Sequence, residues 1–257
     1  MVLRGGYKSE SIPFDAPLYD FNRERGIEYR NCEAILAAFL TSEDVVNLLP
    51  EGLEPYTDPP QGALWFSRYG NSTLGAYNEV ISCIIAKDIH GKMGYYIPYI
   101  YVTNDAALAA GRELAGAPKK LADVKLENKL DFIQATLERP SGKRLITMTF
   151  KPVERALGGD LIDTYLPYPI PLLSVRHIPW VKKEGDGLTQ LISWHAEIDY
   201  HKDPKDERMI WAGPVSITYD SPSVLDPVHK IKVEEMLVAL YMQFDMKLNV
   251  DEVQKEY

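Results

Sequence analysis

Apolar and polar positions alternate along much of this chain, and few stretches carry a helical repeat. Leu191 to His201 is the cleanest case. Ile192, Trp194, Ala196, Ile198 and Tyr200 fall on one face, and Ser193, His195, Glu197, Asp199 and His201 on the other, which predicts a half-buried strand. Ala63 to Tyr69 and Leu74 to Ile85 are rich in aromatic and β-branched residues and read as strands, as does Arg208 to Tyr219. Tyr95 to Thr103 is the strongest strand candidate, and its Pro98 marks an edge, a bulge or a strand start. Lys129 to Arg139 and Lys143 to Val153 flank Pro140-Ser141-Gly142, a hairpin-like turn. The apolar run from Glu33 to Thr41 fits a buried strand or a short helix equally.

Three stretches read as helices. Thr41-Ser42-Glu43-Asp44 has a hydroxyl cap and acidic first-turn residues, with Val45, Val46, Leu48 and Leu49 following before Pro50. Asn104-Asp105 caps an Ala-rich helix over Ala106 to Leu114. Met236, Leu237, Leu240, Tyr241 and Phe244 give a helical apolar stripe over Val233 to Leu248. Residues 1–20 read as an extended lead-in, Pro55 to Gly62 as a loop and Gly158-Gly159-Asp160 as a turn, and the proline-studded Tyr165 to Leu172 as irregular. Without repeat, low-complexity tract or linker, residues 1–257 are expected to form one β-rich, barrel-like or multi-stranded domain.

Composition narrows the function classes. The 257 residues are 46% hydrophobic and 25% charged, enough for a core without covalent staples. A formal net charge of −9 argues against broad nucleic-acid binding. Cys32 and Cys83 belong to no CxxC pair, which fits a reducing compartment and leaves room for one bridge at most. Met1 to Gly6 lacks the apolar core of a signal peptide, and no apolar run has membrane-spanning length, so the expectation is a soluble, cytoplasmic protein.

The common phosphate-binding loops and the serine-hydrolase elbow G-x-S-x-G are missing. His195, Glu197, Asp199 and His201 share a strand face, but ligands two apart spread along a strand, so a solvated face is favoured over a metal site. Lys119 and Lys120 are the more suggestive pair, lying behind Gly111-Arg112-Glu113-Leu114-Ala115-Gly116-Ala117-Pro118. Lysine pairs are usually surface charge, because stripping water from an ammonium is costly. A lysine held in an apolar cavity would instead favour its neutral amine, a nucleophile towards carbonyls.

Gly111-Arg112-Glu113-Leu114 with Pro118-Lys119-Lys120-Leu121 resembles the acetoacetate decarboxylase family, and the similarity extends back to Gly94. Further matching blocks are Leu74-Gly75-Ala76-Tyr77-Asn78-Glu79, Trp211-Ala212-Gly213-Pro214 and the terminal helix expected after Asp226-Pro227-Val228. The resemblance implies a closed, cone-like antiparallel β-barrel with flanking strands and short helices, assembled as a homo-oligomer. It implies Lys119 as the Schiff-base nucleophile. Acetoacetate decarboxylase is itself a standing example of a lysine activated by desolvation or a cationic neighbour. Lys120 would be that neighbour, unless strand alternation turns it away. Glu79 falls on an active-site glutamate of the family, suited to shuttling protons or repelling the substrate carboxylate.

Two departures qualify the match. Leu64 to Tyr69 holds no acid where family decarboxylases carry a second glutamate. The family's substrate-holding arginine has two counterparts: Arg23, followed by Glu24 but too far from Thr41, and Arg30, with the better spacing. Arg30 is preferred. The leading expectation is decarboxylation of a small 3-oxo acid through a Lys119 imine, without metal or organic cofactor. The alternatives are an aldolase-dehydratase condensing pyruvate with an aldehyde through the same lysine, and a non-catalytic barrel that binds a small carboxylate.

Overall fold

The structure, a computed structural model, describes residues 17–19, 25–156, 159–181 and 187–257. Most of the expected lead-in, and Gly158 of the expected turn, lie outside these. The first strands are β1 Ile27–Leu40, β2 Glu54–Pro55, β3 Gln61–Ser72, β4 Tyr77–Lys87 and β5 Met93–Val102. Helix α1 Asp105–Ala110 continues into a π-helical turn, Gly111–Ala115. Then come β6 Lys119–Leu121, β7 Asp123–Lys129, β8 Phe132–Glu138, β9 Arg144–Phe150, β10 Glu154–Arg155 and α2 Asp160–Tyr165. The chain ends with β11 Ile170–Pro179, β12 Gly187–Tyr200, β13 Ile210–Ala212, β14 Val215–Tyr219 and β15 Glu235–Glu256.

In the larger sheet the order β1-β3-β4-β5-β11-β12-β15 returns on itself through a β15–β1 pairing. Each junction of this ring is antiparallel except one. At that junction Leu172 and Leu173 of β11 lie parallel to Tyr95 and Tyr96 of β5, within a ring that is otherwise antiparallel as expected. A parallel pair needs a long crossover, and the segment between β5 and β11, which includes most of a second sheet, supplies it. That second sheet has the order β14-β9-β8-β7.

Two apolar layers result. Ala34, Leu36, Trp194, Leu240, Met242 and Phe244 belong to one cluster, inside the ring. Ile35, Phe39, Phe66 and Tyr241 belong to another, shared with Leu126, Leu137, Ile146 and Phe150 of the second sheet. β1 from Cys32 to Phe39 and β15 from Val238 to Met242 are therefore buried on both faces.

This corrects the helix expected over Val233 to Leu248. Even-numbered Val238 to Met246 face the ring interior, whereas Ala239 and Tyr241 face the second sheet. With apolar residues on both faces, the period of two is hidden and a spurious helical stripe emerges. The same double burial explains why Glu33 to Thr41 was ambiguous; it lies almost wholly in β1.

Pro98 sits at a bulge. Ser82 pairs with Tyr99 and Ile84 with Tyr96, so Ile97 and Pro98 together oppose Cys83. The phase of β5 flips there: Tyr95 and Ile97 face the ring interior, and so do Ile100 and Val102. Asn104 caps α1 as expected, its side-chain oxygen accepting from the Ala107 N–H at 2.6 Å. No helix among the described residues is long and apolar enough to cross a membrane. Cys32 and Cys83 are both free and buried, so neither forms the one bridge the sequence left room for.

Candidate active site

Strand β6 decides which lysine enters the ring. It runs parallel to β5, with Lys119 opposite Ile100 and Lys120 opposite Tyr101. Ile100 faces the ring interior and Tyr101 the second layer, so neighbouring side chains on β6 diverge likewise. Lys119 is 5% exposed, and its Nζ lies 2.6 Å from Glu79 Oε2, which is equally buried. Lys120 points outward to Asp226 Oδ1 at 2.9 Å and the Leu225 carbonyl at 2.5 Å. The expectation of Lys120 as a catalytic cation is corrected by this divergence: its ammonium is bound on the other side of the strand. Lys120→Ala is expected to leave imine trapping at Lys119 within about twofold of wild type, as for surface substitutions. Its stability cost should be ~1 kcal/mol or less in a denaturant titration, since Arg139 still holds Asp226 at 3.1 Å.

Glycines bring the helix against Lys119. A Cβ on Gly111 would stand 2.5 Å from Lys119 Cε and 2.6 Å from Cδ, so the bare backbone of the π-helical turn makes room for the lysine stem. Gly116 closes the turn at φ +73°, where a Cβ would also stand 2.4 Å from the Arg176 backbone nitrogen. The chain then turns tightly about Pro118, with the Lys119 N–H donating to the Ala117 carbonyl at 2.7 Å.

Glu79 is held from β4, opposite Ser67 of β3. The Tyr69 hydroxyl donates to Glu79 Oε1 at 3.0 Å, leaving Oε2 to Lys119. Tyr29 and Tyr77 complete an aromatic cluster, their hydroxyls 3.1 Å apart and the Tyr69 ring centroid 4.8 and 4.9 Å from theirs. The Lys119 ammonium position is 5.7 Å from the Tyr77 ring centroid. Sequence reasoning missed these tyrosines. The signal for Tyr69 was the alternation Trp65, Ser67, Tyr69 along β3, which faces the ring interior.

Burial pushes the phenols of Tyr29, Tyr69 and Tyr77 well above their ordinary value of 10.0, and the nearby Glu79 charge pushes in the same direction. They remain hydrogen-bond donors at neutral pH. Each binds its proton more tightly folded than unfolded, so its contribution to stability is full below pH 10 and falls as pH rises above it. The denaturant midpoint is expected to drop progressively above pH ~10, with tyrosinate absorbance from this cluster appearing together with unfolding.

A largely apolar cavity of about 70 Å³ opens onto Lys119 and Glu79. Trp65, Ile81, Cys83, Leu172 and Trp194 are among its walls. Among the described residues lining it, Lys119 and Glu79 alone carry charged side chains. Burial pushes the Cys83 thiol up to about 12, so it presents an inert apolar surface.

Arg30 is not brought to this cavity, a second correction. Its side chain is 58% exposed and pairs with Asp245 at 3.3 Å. The cause is an irregularity in β1 between Tyr29 and Cys32, where Asn31 adopts φ 54° and donates its N–H to Asp245 Oδ1. Arg23 lies outside the described residues. His195 is engaged by Asp251 and Glu197, and His201 by Asp245. No group of His, Cys, Asp and Glu among the described residues could hold a metal ion.

A family profile described as acetoacetate decarboxylase matches residues 9–257. Acetoacetate decarboxylase 2 of Mesorhizobium japonicum is 29% identical over 249 residues, covering 96% of this chain and 89% of that protein. Decarboxylase DEC1 of Cochliobolus heterostrophus is 26% identical over 250 residues, covering 94% of each. Among solved structures, an acetoacetate decarboxylase of Legionella pneumophila superposes with a TM-score of 0.80 at 23% identity, covering 96% of this chain and 94% of that one. The enduracididine biosynthesis enzyme MppR, complexed with the condensation product of pyruvate and imidazole 4-carboxaldehyde, gives 0.77 at 14% identity, covering 97% of each.

Proposed function

The chain belongs to the acetoacetate decarboxylase family, and on that premise we propose that it decarboxylates a 3-oxo acid through an imine on Lys119. The observation that carries this reading is the 2.6 Å contact between Lys119 Nζ and Glu79 Oε2 inside an apolar cavity.

At that distance the ammonium proton can pass to Glu79, freeing the amine to attack the substrate ketone. Glu79 returns the proton to the carbinolamine oxygen as water leaves, giving a protonated imine. The bond to the carboxylate carbon then breaks, carbon dioxide departs, and its electron pair moves through the new double bond to nitrogen. A proton added to the enamine carbon, and a water added to the imine, release the ketone and restore Lys119.

The surroundings favour the charge-losing step. A carboxylate entering the cavity exchanges water for apolar walls, and the described walls offer no cation beyond Lys119 itself. Loss of carbon dioxide removes that anion as the imine charge is neutralised. Tyr69 holds Glu79 in place throughout.

The pyruvate reading has weaker support, because a 2-oxo acid keeps its carboxylate and needs a partner for it. Arg30, the expected partner, is turned outward to Asp245. Carbon dioxide release from 3-oxobutanoate, followed beside borohydride trapping with pyruvate, separates the readings. Release from 3-oxobutanoate is expected. A pyruvate adduct without any such release would replace decarboxylation by the aldolase-type reaction, and neither adduct nor release would leave a carboxylate-binding barrel.

A further inference from the structure

Glu79 changes partners in the course of the reaction. In the resting site Lys119 Nζ holds its Oε2 at 2.6 Å, and the Tyr69 hydroxyl holds its Oε1 at 3.0 Å. Until the imine has formed, the positive nitrogen is enough to keep the carboxylate in place. Once carbon dioxide has left, the nitrogen belongs to a neutral enamine and that hold is gone. A proton must then reach the enamine carbon, two bonds from the nitrogen. A carboxyl free to turn about its own bond would seldom present one there.

Tyr69 is placed to prevent that turning. It stands opposite Tyr77 across the β3–β4 pair, hence diagonal to Glu79 on the same interior face. It is 3% exposed and packs against the rings of Tyr29 and Tyr77. Those two hydroxyls pair with each other, so neither competes for Glu79. Other polar groups on the described cavity wall are engaged elsewhere. The Tyr95 hydroxyl donates to the Tyr165 carbonyl, the Trp194 indole N–H to Ser174 Oγ and the Cys83 thiol to the Ala63 carbonyl. Tyr69 keeps its proton because burial raises its phenol well above the ordinary value. Of the two partners of Glu79, it is therefore the one whose charge stays constant through the cycle.

Resting on the imine reading above, we infer that Tyr69 is the positioning residue for carbon protonation, fixing Glu79 through Oε1 so that Oε2 delivers the proton to the enamine carbon. That proton is the one the overall reaction consumes, and Glu79 takes it up from solvent when its cationic partner is lost. As it leaves Oε2, the electron pair of the carbon–carbon double bond forms the new C–H bond. The nitrogen becomes a protonated imine again, and Glu79 returns to a carboxylate beside it. Loss of the Tyr69 hydroxyl should spare imine formation, when Lys119 itself holds Glu79, and slow the later step.

Propanone, the ketone released from 3-oxobutanoate, reads the two steps separately. Borohydride trapping of propanone on Lys119 follows imine formation. Exchange of its methyl hydrogens in deuterium oxide follows proton transfer at the enamine carbon. Tyr69→Phe in the full chain is expected to lower exchange by about 10–100-fold, the range for losing a hydrogen bond to a charged group. Trapping should stay within about threefold of wild type, as for a step that does not use the lost bond. A result in which exchange falls no further than trapping overturns the positioning role and leaves the imine reading intact. No propanone adduct on the wild-type protein overturns both. If circular dichroism shows that Tyr69→Phe does not fold, a crystal structure of the reduced wild-type adduct decides. Tyr69 Oη within ~3.2 Å of Glu79 Oε1, with Oε2 towards the adduct carbon, supports the role. A Glu79 carboxyl turned away from Tyr69 overturns it.

Discussion

Replacing Lys119 by alanine is expected to abolish both the borohydride adduct and decarboxylation, with a loss in kcat of at least about 10⁴-fold. In the proposed mechanism the amine is the atom to which the substrate becomes bonded, and no other amine among the described cavity walls can substitute. Lys120 is the nearest in sequence, but its ammonium is bound by Asp226 and the Leu225 carbonyl on the opposite side of β6. The substitution also leaves the Glu79 carboxyl buried without its ion-pair partner. Orphaning one member of a buried pair costs ~3–5 kcal/mol, so circular dichroism and a denaturant midpoint must accompany the assay. Lys119→Arg is the matching control. It keeps a cation near Glu79 and cannot form the imine, so it should be equally inactive. Retained activity in either variant would remove Lys119 from the mechanism.

Glu79→Gln is expected to lower kcat by about 10²–10⁴-fold, the range for losing a positioned acid–base group. The carboxamide can still accept the hydrogen bond that Tyr69 now donates to Oε1. It cannot take up or return a proton. Imine formation, carbinolamine dehydration and enamine protonation should all slow, while Lys119 remains in the cavity. The measurement that isolates this role is borohydride trapping over time: the adduct should still accumulate on Lys119, more slowly, as steady-state carbon dioxide release collapses. Unaltered kcat with a raised KM would instead assign Glu79 to substrate binding alone.

Strands buried on one face were readable from the sequence. β12 is such a case, with Ile192, Trp194, Ala196 and Ile198 buried as the alternation predicts. Local turn chemistry was readable too, in the Asn104 cap and the β8–β9 hairpin. β15 was not, because an apolar face turned to each of two layers leaves no alternation to detect. The parallel β5–β11 junction joins residues far apart in the chain, beyond the reach of local pattern.

The site divides in the same way. Pro118-Lys119-Lys120 and Glu79 stood out through family resemblance, and the structure brings Lys119 and Glu79 together across 40 residues of sequence. Which lysine faces inward depends on a bulge at Pro98 that sets the phase of β5, and through it that of β6. Sequence marked the bulge as one of three options and could not relate it to the lysine. Arg30 failed for a similar reason: one left-handed residue, Asn31, turns it to solvent. Tyr69 acquires its role only from the β3–β4 register that sets it beside Glu79.

Whether Lys119 forms an imine with a 3-oxo acid can be read directly. The measurement is borohydride reduction during turnover of 3-oxobutanoate, followed by peptide mass analysis. One reduced adduct, on Lys119, is expected, with a yield that tracks the loss of activity. Continued release of carbon dioxide without any adduct, or an adduct carried by Lys120, would contradict it.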